Sequence, residues 1–189
     1  MLHRILGHLV TGDDDEGDRE HQLGLAKIIE SGYVLDYDDV FAPIAAELPV
    51  QDARLVMDIL EMFYFLEWSF NKLSQEERDD LGAEVAFRVR FRGFDFNSRR
   101  EGRLHGFAKY LIDNGKWEDL AVYFDRAHDG GNSHMPMLGT YERMLNEFNP
   151  IWRDRIRDMT SGRQFDARLK TAEISRIAGA FVHPYNRGK

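Results

Sequence analysis

Two stretches of the sequence gather side chains that could do chemistry: residues 124–137, FDRAHDGGNSHMPM, and residues 88–103, RVRFRGFDFNSRREGR. In the first, His128, Asp129 and His134 could ligate a metal, with Asp125 in support. Helical zinc motifs set two histidines four apart on one face, whereas His128 and His134 are six apart in a Gly-rich loop, so spacing imposes no ligand geometry. A phosphate cradle would use the backbone N–H groups of Gly130, Gly131 and Asn132 beside a helix start, but Pro136 lacks an N–H and no GK[ST] follows the glycines. The third reading is a helix-linking loop. The glycines supply turn conformations, Asn132 or Ser133 makes local turn bonds, and Pro136 fixes entry to the next helix. This third reading leads, with His128 and Asn132 as the residues a bound ligand would meet; no metal and no cofactor is expected.

The second stretch interleaves Arg88, Arg90, Arg92, Arg99, Arg100 and Arg103 with Phe87, Phe91, Phe94, Phe96 and the acid Asp95. Guanidinium groups meet phosphates and aromatic rings stack on bases, so this chemistry suits a nucleotide or single-stranded nucleic acid. The competing expectation is structural: the phenylalanines form core, and the arginines pair with acids elsewhere. Asp58 and Glu61 lie in an apolar helix and need partners, because unpaired buried carboxylates are costly. Arg54 lies one turn before Asp58 and could serve one of them. Ion pairing ranks above nucleic-acid binding. An acid–base site built from Glu61, Asp95 and His128 is a further candidate, but no nucleophile elbow or other catalytic signature accompanies it. Tyr110, Tyr141 and His105 read as structural.

The elements that must position these residues are helical. The clearest is PVQDARLVMDILEMFYFLEWSFNKL, residues 49–73, apolar on nearly every side and therefore central. Pro49 suits its first turn. Before it, residues 2–9 predict a short helix and GDDDEGDRE a solvated linker or an acidic helix start, dividing the chain into residues 1–18 and a helical domain over 19–189. HQLGLAKIIESGY predicts a helix ending at Gly32, and DYDDVFAPIAAEL a short one. Beyond residue 73, SQEERDDLGAE reads as a short helix or turn. EVAFRVRF alternates apolar and basic residues with period two and predicts an extended segment, lying along helices or pairing with its copy in a dimer. Helices are then expected over NSRREGRLHGFAKYLIDNG, capped by Asn97 or Ser98 and stopped at Gly115, and over WEDLAVYFD, PMLGTYERMLNEF, IWRDRIRDM and TAEISRIAGAF. The fold class is all-α: a multihelical single domain with a central apolar helix and one short extended segment.

Composition sets further bounds. The 189 residues carry a net charge of -8, 43% hydrophobic residues and no cysteine. A core is affordable, disulfides and thiolate chemistry are excluded, and generic binding to DNA or anionic membranes is disfavoured. The opening MLHRILGHLV is too short and interrupted for a signal peptide, and no apolar run suits a membrane span, so a cytoplasmic location is expected.

Taken in order, IIESGY, DILEMF, RFRGFDFN before a helix, and the HDGGN loop leading to PM and TYERML resemble the YfbU family. The resemblance covers roughly residues 20–181. It implies a helical, cytoplasmic, bacterial protein that self-associates, and it brings no reaction and no catalytic residues. The sequence departs from the family pattern in an acidic, shortened beginning, in Ser74–Glu84, in an inserted piece from Pro150 to Asp166, and at Lys170, where a serine cap is usual and Thr171 could take over. The leading functional expectation is a self-associating helical interaction or regulatory module, a homodimer or higher oligomer. The alternatives are a nucleotide or nucleic-acid binder through residues 87–103 and a metal-dependent hydrolase around residues 125–134.

Overall fold

A computed structural model describes residues 16–36, 40, 47–161, 166–183 and 185. The helix expected at residues 2–9, the first part of the acidic run and most of DYDDVFAPIAAEL lie outside the described residues. The chain divides into two compact units, residues 1–47 and 48–189. In the first, helix α1 (Glu16–Ser31) ends at Gly32 as expected, with Tyr33 N–H donating to Ile28 and Gly32 N–H to Ile29. A 3-10 turn, Val34–Asp36, follows.

The second unit is built on helix α2 (Val50–Asn71), whose Val56, Ile59, Leu60, Met62, Phe63, Leu66 and Phe70 are buried. Residues from positions 56 to 70 thus point inward on several sides, which makes α2 the expected central helix. Around it stand α3 (Gln75–Arg88), α4 (Arg99–Asp113), α5 (Leu138–Thr160) and α6 (Thr171–Gly179), with 3-10 helices at Glu118–Phe124 and Arg126–Gly131. The fold is all-α. Among the described residues the sole β-type contact is one parallel bridge, Phe94 with Asn132, and no helix is long and apolar enough to cross a membrane.

Three expectations about elements are corrected. EVAFRVRF is not extended through its length; α3 runs to Arg88 and only the residues after the turn at Val89–Arg90 open out. Ser74 and Glu77 form a reciprocal capping box that starts α3; Gly82, at φ +79°, kinks the helix, which resumes to Arg88 with Val85 and Val89, four apart, against the core. Alternation over a few residues fits either period, and the packing of Val85 and Val89 on the core, with the Val89 N–H donating to the Val85 carbonyl, goes with the helical one. Next, PMLGTYERMLNEF and IWRDRIRDM are one helix, α5, with Pro150 inside it. Its apolar stripe, Tyr141, Met144, Leu145, Phe148 and Trp152, continues past an exposed Pro150, so packing outweighs the lost N–H. Finally, Thr171 does not cap α6. Lys170 occupies the cap position, and the Glu173 carboxylate accepts its N–H at 2.7 Å.

Two carboxylates buried in this unit fix its irregular parts. Glu101, in the first turn of α4, is 3% exposed. It accepts N–H bonds from Asp95 (2.9 Å), Met137 (3.1 Å) and Leu138 (3.0 Å). A negative charge thus sits on the N-terminus of α5, where the helix leaves N–H groups without intrahelical partners. Glu67 on α2 accepts from the Phe91 N–H (3.1 Å), the Arg90 guanidinium (3.0 Å) and the Tyr123 hydroxyl (2.8 Å). Replacing Glu101 by Ala strands three buried donors at about 1–3 kcal/mol each. Urea denaturation is therefore expected to give a loss above about 3 kcal/mol for Glu101→Ala, and a smaller loss for Glu101→Gln, which retains one acceptor oxygen.

Candidate functional site

The two chemically rich stretches meet. The segment after α3 and the loop before α5 cross at Gly93 and Gly131, held by Phe94 N–H to the Gly131 carbonyl (2.9 Å) and Ser133 N–H to the Phe94 carbonyl (3.0 Å). A Cβ at Gly93 would lie 1.9 Å from the Gly131 oxygen, and Gly93 has φ +78°. One at Gly131 would press at 3.2 Å on the His105 ring. Beneath the crossing, the buried Tyr141 hydroxyl donates to the Gly93 carbonyl (2.7 Å) and accepts the Arg92 N–H (3.2 Å). Burial raises the Tyr141 phenol far above its ordinary value, so it remains a hydroxyl.

His105 braces the loop from α4. Its Nε2 lies 2.7 Å from the Gly130 carbonyl, which can only accept, so Nε2 carries the proton. Its ring stacks on Phe124 and meets the edge of Phe96. Burial lowers its pKa, the Gly130 bond opposes that, and Lys109 adds to the lowering. Within the loop, Asp129 (φ +51°) and His134 (φ +55°) hold left-handed backbone, a conformation sustained by the bonds around it. The two side chains pair with each other at an exposed position.

Beside the crossing opens a cleft of about 710 Å³. Arg90, Arg92, His128, Asp129 and Asn132 line it, so five residues singled out from the sequence are brought to one place. Phe87, Phe91, Met135, Met137 and Phe181 form its apolar walls. Arg92 is the distinctive group. Its guanidinium carbon lies 3.4 Å from the Phe87 ring centroid, a cation–π contact. One terminal nitrogen donates to the Phe87 carbonyl at 3.4 Å, and its Nε is buried without a partner. Burial lowers its pKa, with Tyr123, Tyr141 and Glu67 opposing, yet a guanidinium stays charged at any physiological pH. No carboxylate of the described residues pairs with it, whereas Arg90 is bound to Glu67 and to the Asn71 side chain. For Arg90 the cost of burial is overcome by the Glu67 bond and charge, which leave its pKa raised. The Tyr123 hydroxyl, pushed up to about 12 chiefly by burial and then by Glu67, stays a donor.

The remaining candidates lie elsewhere or serve the fold. Arg88 pairs with Glu84, and Arg100 with Asp52 on α2 at 2.7 Å. Arg99 and Arg103 are exposed on α4. Asp95 is buried and turns the chain into α4 by accepting from the Asn97 backbone and side-chain amides. Phe91 and Phe94 are core, as expected, but Phe87 is 53% exposed and Phe96 45%. The expectation that these arginines serve Asp58 and Glu61 is corrected: their carboxylate partners on α2 are Asp52 and Glu67. Burial raises the pKa of Asp58, opposed by Arg54; burial and then Asp58 raise that of Glu61, opposed by the Trp152 bond.

The loop does not hold the amides of Gly130 and Asn132 open for a phosphate. The N–H groups of Gly130, Asn132 and Ser133 donate to the Asp125, Asp129 and Phe94 carbonyls. Nor does it gather the metal trio: His128 turns its ring to the edge of Tyr123, away from a joint site with Asp129 and His134, and among the described residues no three His, Asp or Glu side chains group as ligands. Asn132 is occupied by the turn, its Oδ1 accepting from Phe96 and His134. Sequence reasoning missed Glu67, Glu101, Tyr123, Met135 and Phe181. Two of these carried a signal: Glu101 completes a Ser98-x-x-Glu101 capping pattern, and Glu67 interrupts the apolar stripe between Phe63 and Phe70.

A family model described as YfbU domain matches residues 1–180. The chain belongs to the YfbU family. It is 28% identical over 156 residues to the UPF0304 protein MJECS11 of Methanocaldococcus jannaschii, a match covering 82% of this chain and 83% of that relative. That relative is archaeal. The YfbU chain contains, in RFRGFDFN and HDGGN, the two segments whose glycines interlock.

Two outcomes are expected from this geometry. Gly93→Ala should cost more than about 4 kcal/mol or abolish folding, because its Cβ overlaps backbone, whereas Gly130→Ala, with open space, should cost only about 1–2 kcal/mol for its left-handed backbone. Urea denaturation of both variants checks this. Native His105 binds its proton at lower pH than the unfolded chain, so its contribution is complete above the ordinary histidine value of 6.5 and is lost as pH falls through the lowered folded value. Unfolding measured against pH should show that decline, and His105→Gln should flatten it.

Proposed function

We propose that this YfbU protein is a helical ligand-binding module whose cleft takes a small, largely apolar anion. The observation that carries this is Arg92: a charged guanidinium without a carboxylate partner, fixed on Phe87 at the wall of an apolar cleft. A cleft of about 710 Å³ lies in the range of small-molecule sites. Of the lining groups able to move protons, Asp129 pairs with His134, the Ser133 hydroxyl with the Met135 carbonyl and the Tyr123 hydroxyl with Glu67, which leaves His128 in a ring contact with Tyr123 and without an acid partner among the described residues. Binding therefore fits the cleft better than hydrolysis does, and a nucleic-acid track is disfavoured because Arg88, Arg90 and Arg100 are neutralised by carboxylates.

A second property, self-association, is favoured by Val50 (63% exposed) and Met57 (39% exposed), seven positions apart on one face of α2.

The test uses 8-anilinonaphthalene-1-sulfonate, a largely apolar aromatic monoanion, in a fluorescence titration. One site per chain is expected, weakened about tenfold or more in Arg92→Gln through loss of a charge-assisted bond. Equal binding by wild type and Arg92→Gln overturns the proposal. Native mass spectrometry of the same samples reads the oligomeric state, and a monomer at micromolar concentration removes self-association.

A further inference from the structure

The cleft that binds an anion in the reading above also limits which anion it can be, and the limit comes from counting charges and donors around it. Of its two arginines, Arg90 has both terminal nitrogens committed, one to Glu67 and one to Asn71. Arg92 supplies the cleft's cation without a carboxylate partner. Of the loop amides that would cradle a phosphate, those of Gly130 and Asn132 donate within the chain, as does the neighbouring Ser133. The rim carries Asp129, a carboxylate that repels a multiply charged ligand. Phosphate monoesters at neutral pH carry close to two charges and many acceptor oxygens, and a site with one guanidinium lacking a carboxylate partner and a carboxylate at its rim leaves most of them unpaired.

A single carboxylate is matched instead. The planar guanidinium fork pairs with the two oxygens of one carboxylate, and one charge meets one charge. The stack on Phe87 holds the guanidinium plane in place before a ligand arrives, so little side-chain freedom is lost on binding. The rest of the cleft wall is apolar: Phe91, Met135, Met137 and Phe181 offer a ligand's body no charge and no obligatory hydrogen bond. Methionine side chains adapt their shape to a flexible chain.

We infer that the cleft binds a monocarboxylic acid with an extended apolar body, an alkyl or arylalkyl carboxylate, with Arg92 clamping the carboxylate and Met135, Met137 and Phe181 enclosing the tail. The inference rests on the anion-binding reading and narrows it to one headgroup and one kind of tail.

The experiment displaces bound 8-anilinonaphthalene-1-sulfonate with hexanoate, octanoate, decanoate, decanol, AMP and inorganic phosphate. The acids are expected to compete, tightening by about fourfold per methylene buried. Decanol, AMP and phosphate are expected to compete at least about tenfold more weakly than decanoate. Arg92→Gln should lose the preference of decanoate over decanol. Met135→Glu, at a position 59% exposed and so tolerant of substitution, should weaken every acid by placing a second negative charge at the mouth. Displacement by AMP or phosphate but not by the acids overturns the carboxylate assignment while the cleft remains an anion site. Equal displacement by decanol and decanoate also overturns it. No binding of the dye to wild-type protein overturns the anion-binding reading itself, and the inference with it.

Discussion

Glu101 is a carboxylate in the interior of the second unit, and its two oxygens are shared among three backbone N–H groups from two distant parts of the chain. Asp95 belongs to the segment that leaves α3; Met137 and Leu138 belong to the start of α5. A buried charge is tolerable only when its hydrogen bonds are made, and these N–H groups in turn have no helical partner of their own. Each side of the contact therefore needs the other. The effect is to tie the opening of α4, the turn before it and the opening of α5 to one point. Glu67 acts in parallel from α2, holding Phe91, Arg90 and Tyr123.

With both segments pinned, the backbone has to cross itself at Gly93 and Gly131, and Tyr141 fills the space below. The aromatic core around this crossing is continuous: Phe63, Phe91, Phe94 and Tyr141 meet largely edge to face, at centroid separations between 5.2 and 6.0 Å. Such packing leaves little slack. The cleft is the outer consequence. Arg92 sits one residue before Gly93, its backbone N–H held by Tyr141, so the guanidinium has to emerge at the cleft wall and meet Phe87. An irregular segment between helices is costly in backbone entropy and hydrogen bonding unless neighbours satisfy it. Here two carboxylates and one phenol do so, and the same bonds give Arg92 its fixed position.

The sequence by itself determined the elements whose signals are local. The all-round apolar, helix-forming composition of α2, and the cap at Asn97 or Ser98 and Gly115 stop of α4, follow from neighbours a few residues apart. It also singled out Arg90, Arg92, His128, Asp129 and Asn132 as candidates, because arginine–aromatic and Gly-rich patterns are visible without a fold. What only the tertiary structure decided are choices between alternatives with equal local support. Four apolar residues in alternation over positions 85–91 suit helix or strand, and the packing of Val85 and Val89, four apart, on the core settles it for helix up to Arg88. Pro150 ends or merely marks a helix according to which face is packed. Asp58, Glu61 and Glu67 are carboxylates on one helix, yet it is Glu67 that reaches Arg90, because the identity of the buried side depends on where α3 and the 3-10 segment containing Tyr123 come to rest. The meeting of residues near 92 with residues near 131 has no signature within either segment. It is fixed by hydrogen bonds and van der Waals contacts between groups about forty positions apart, and those energies exist only once the chain has folded.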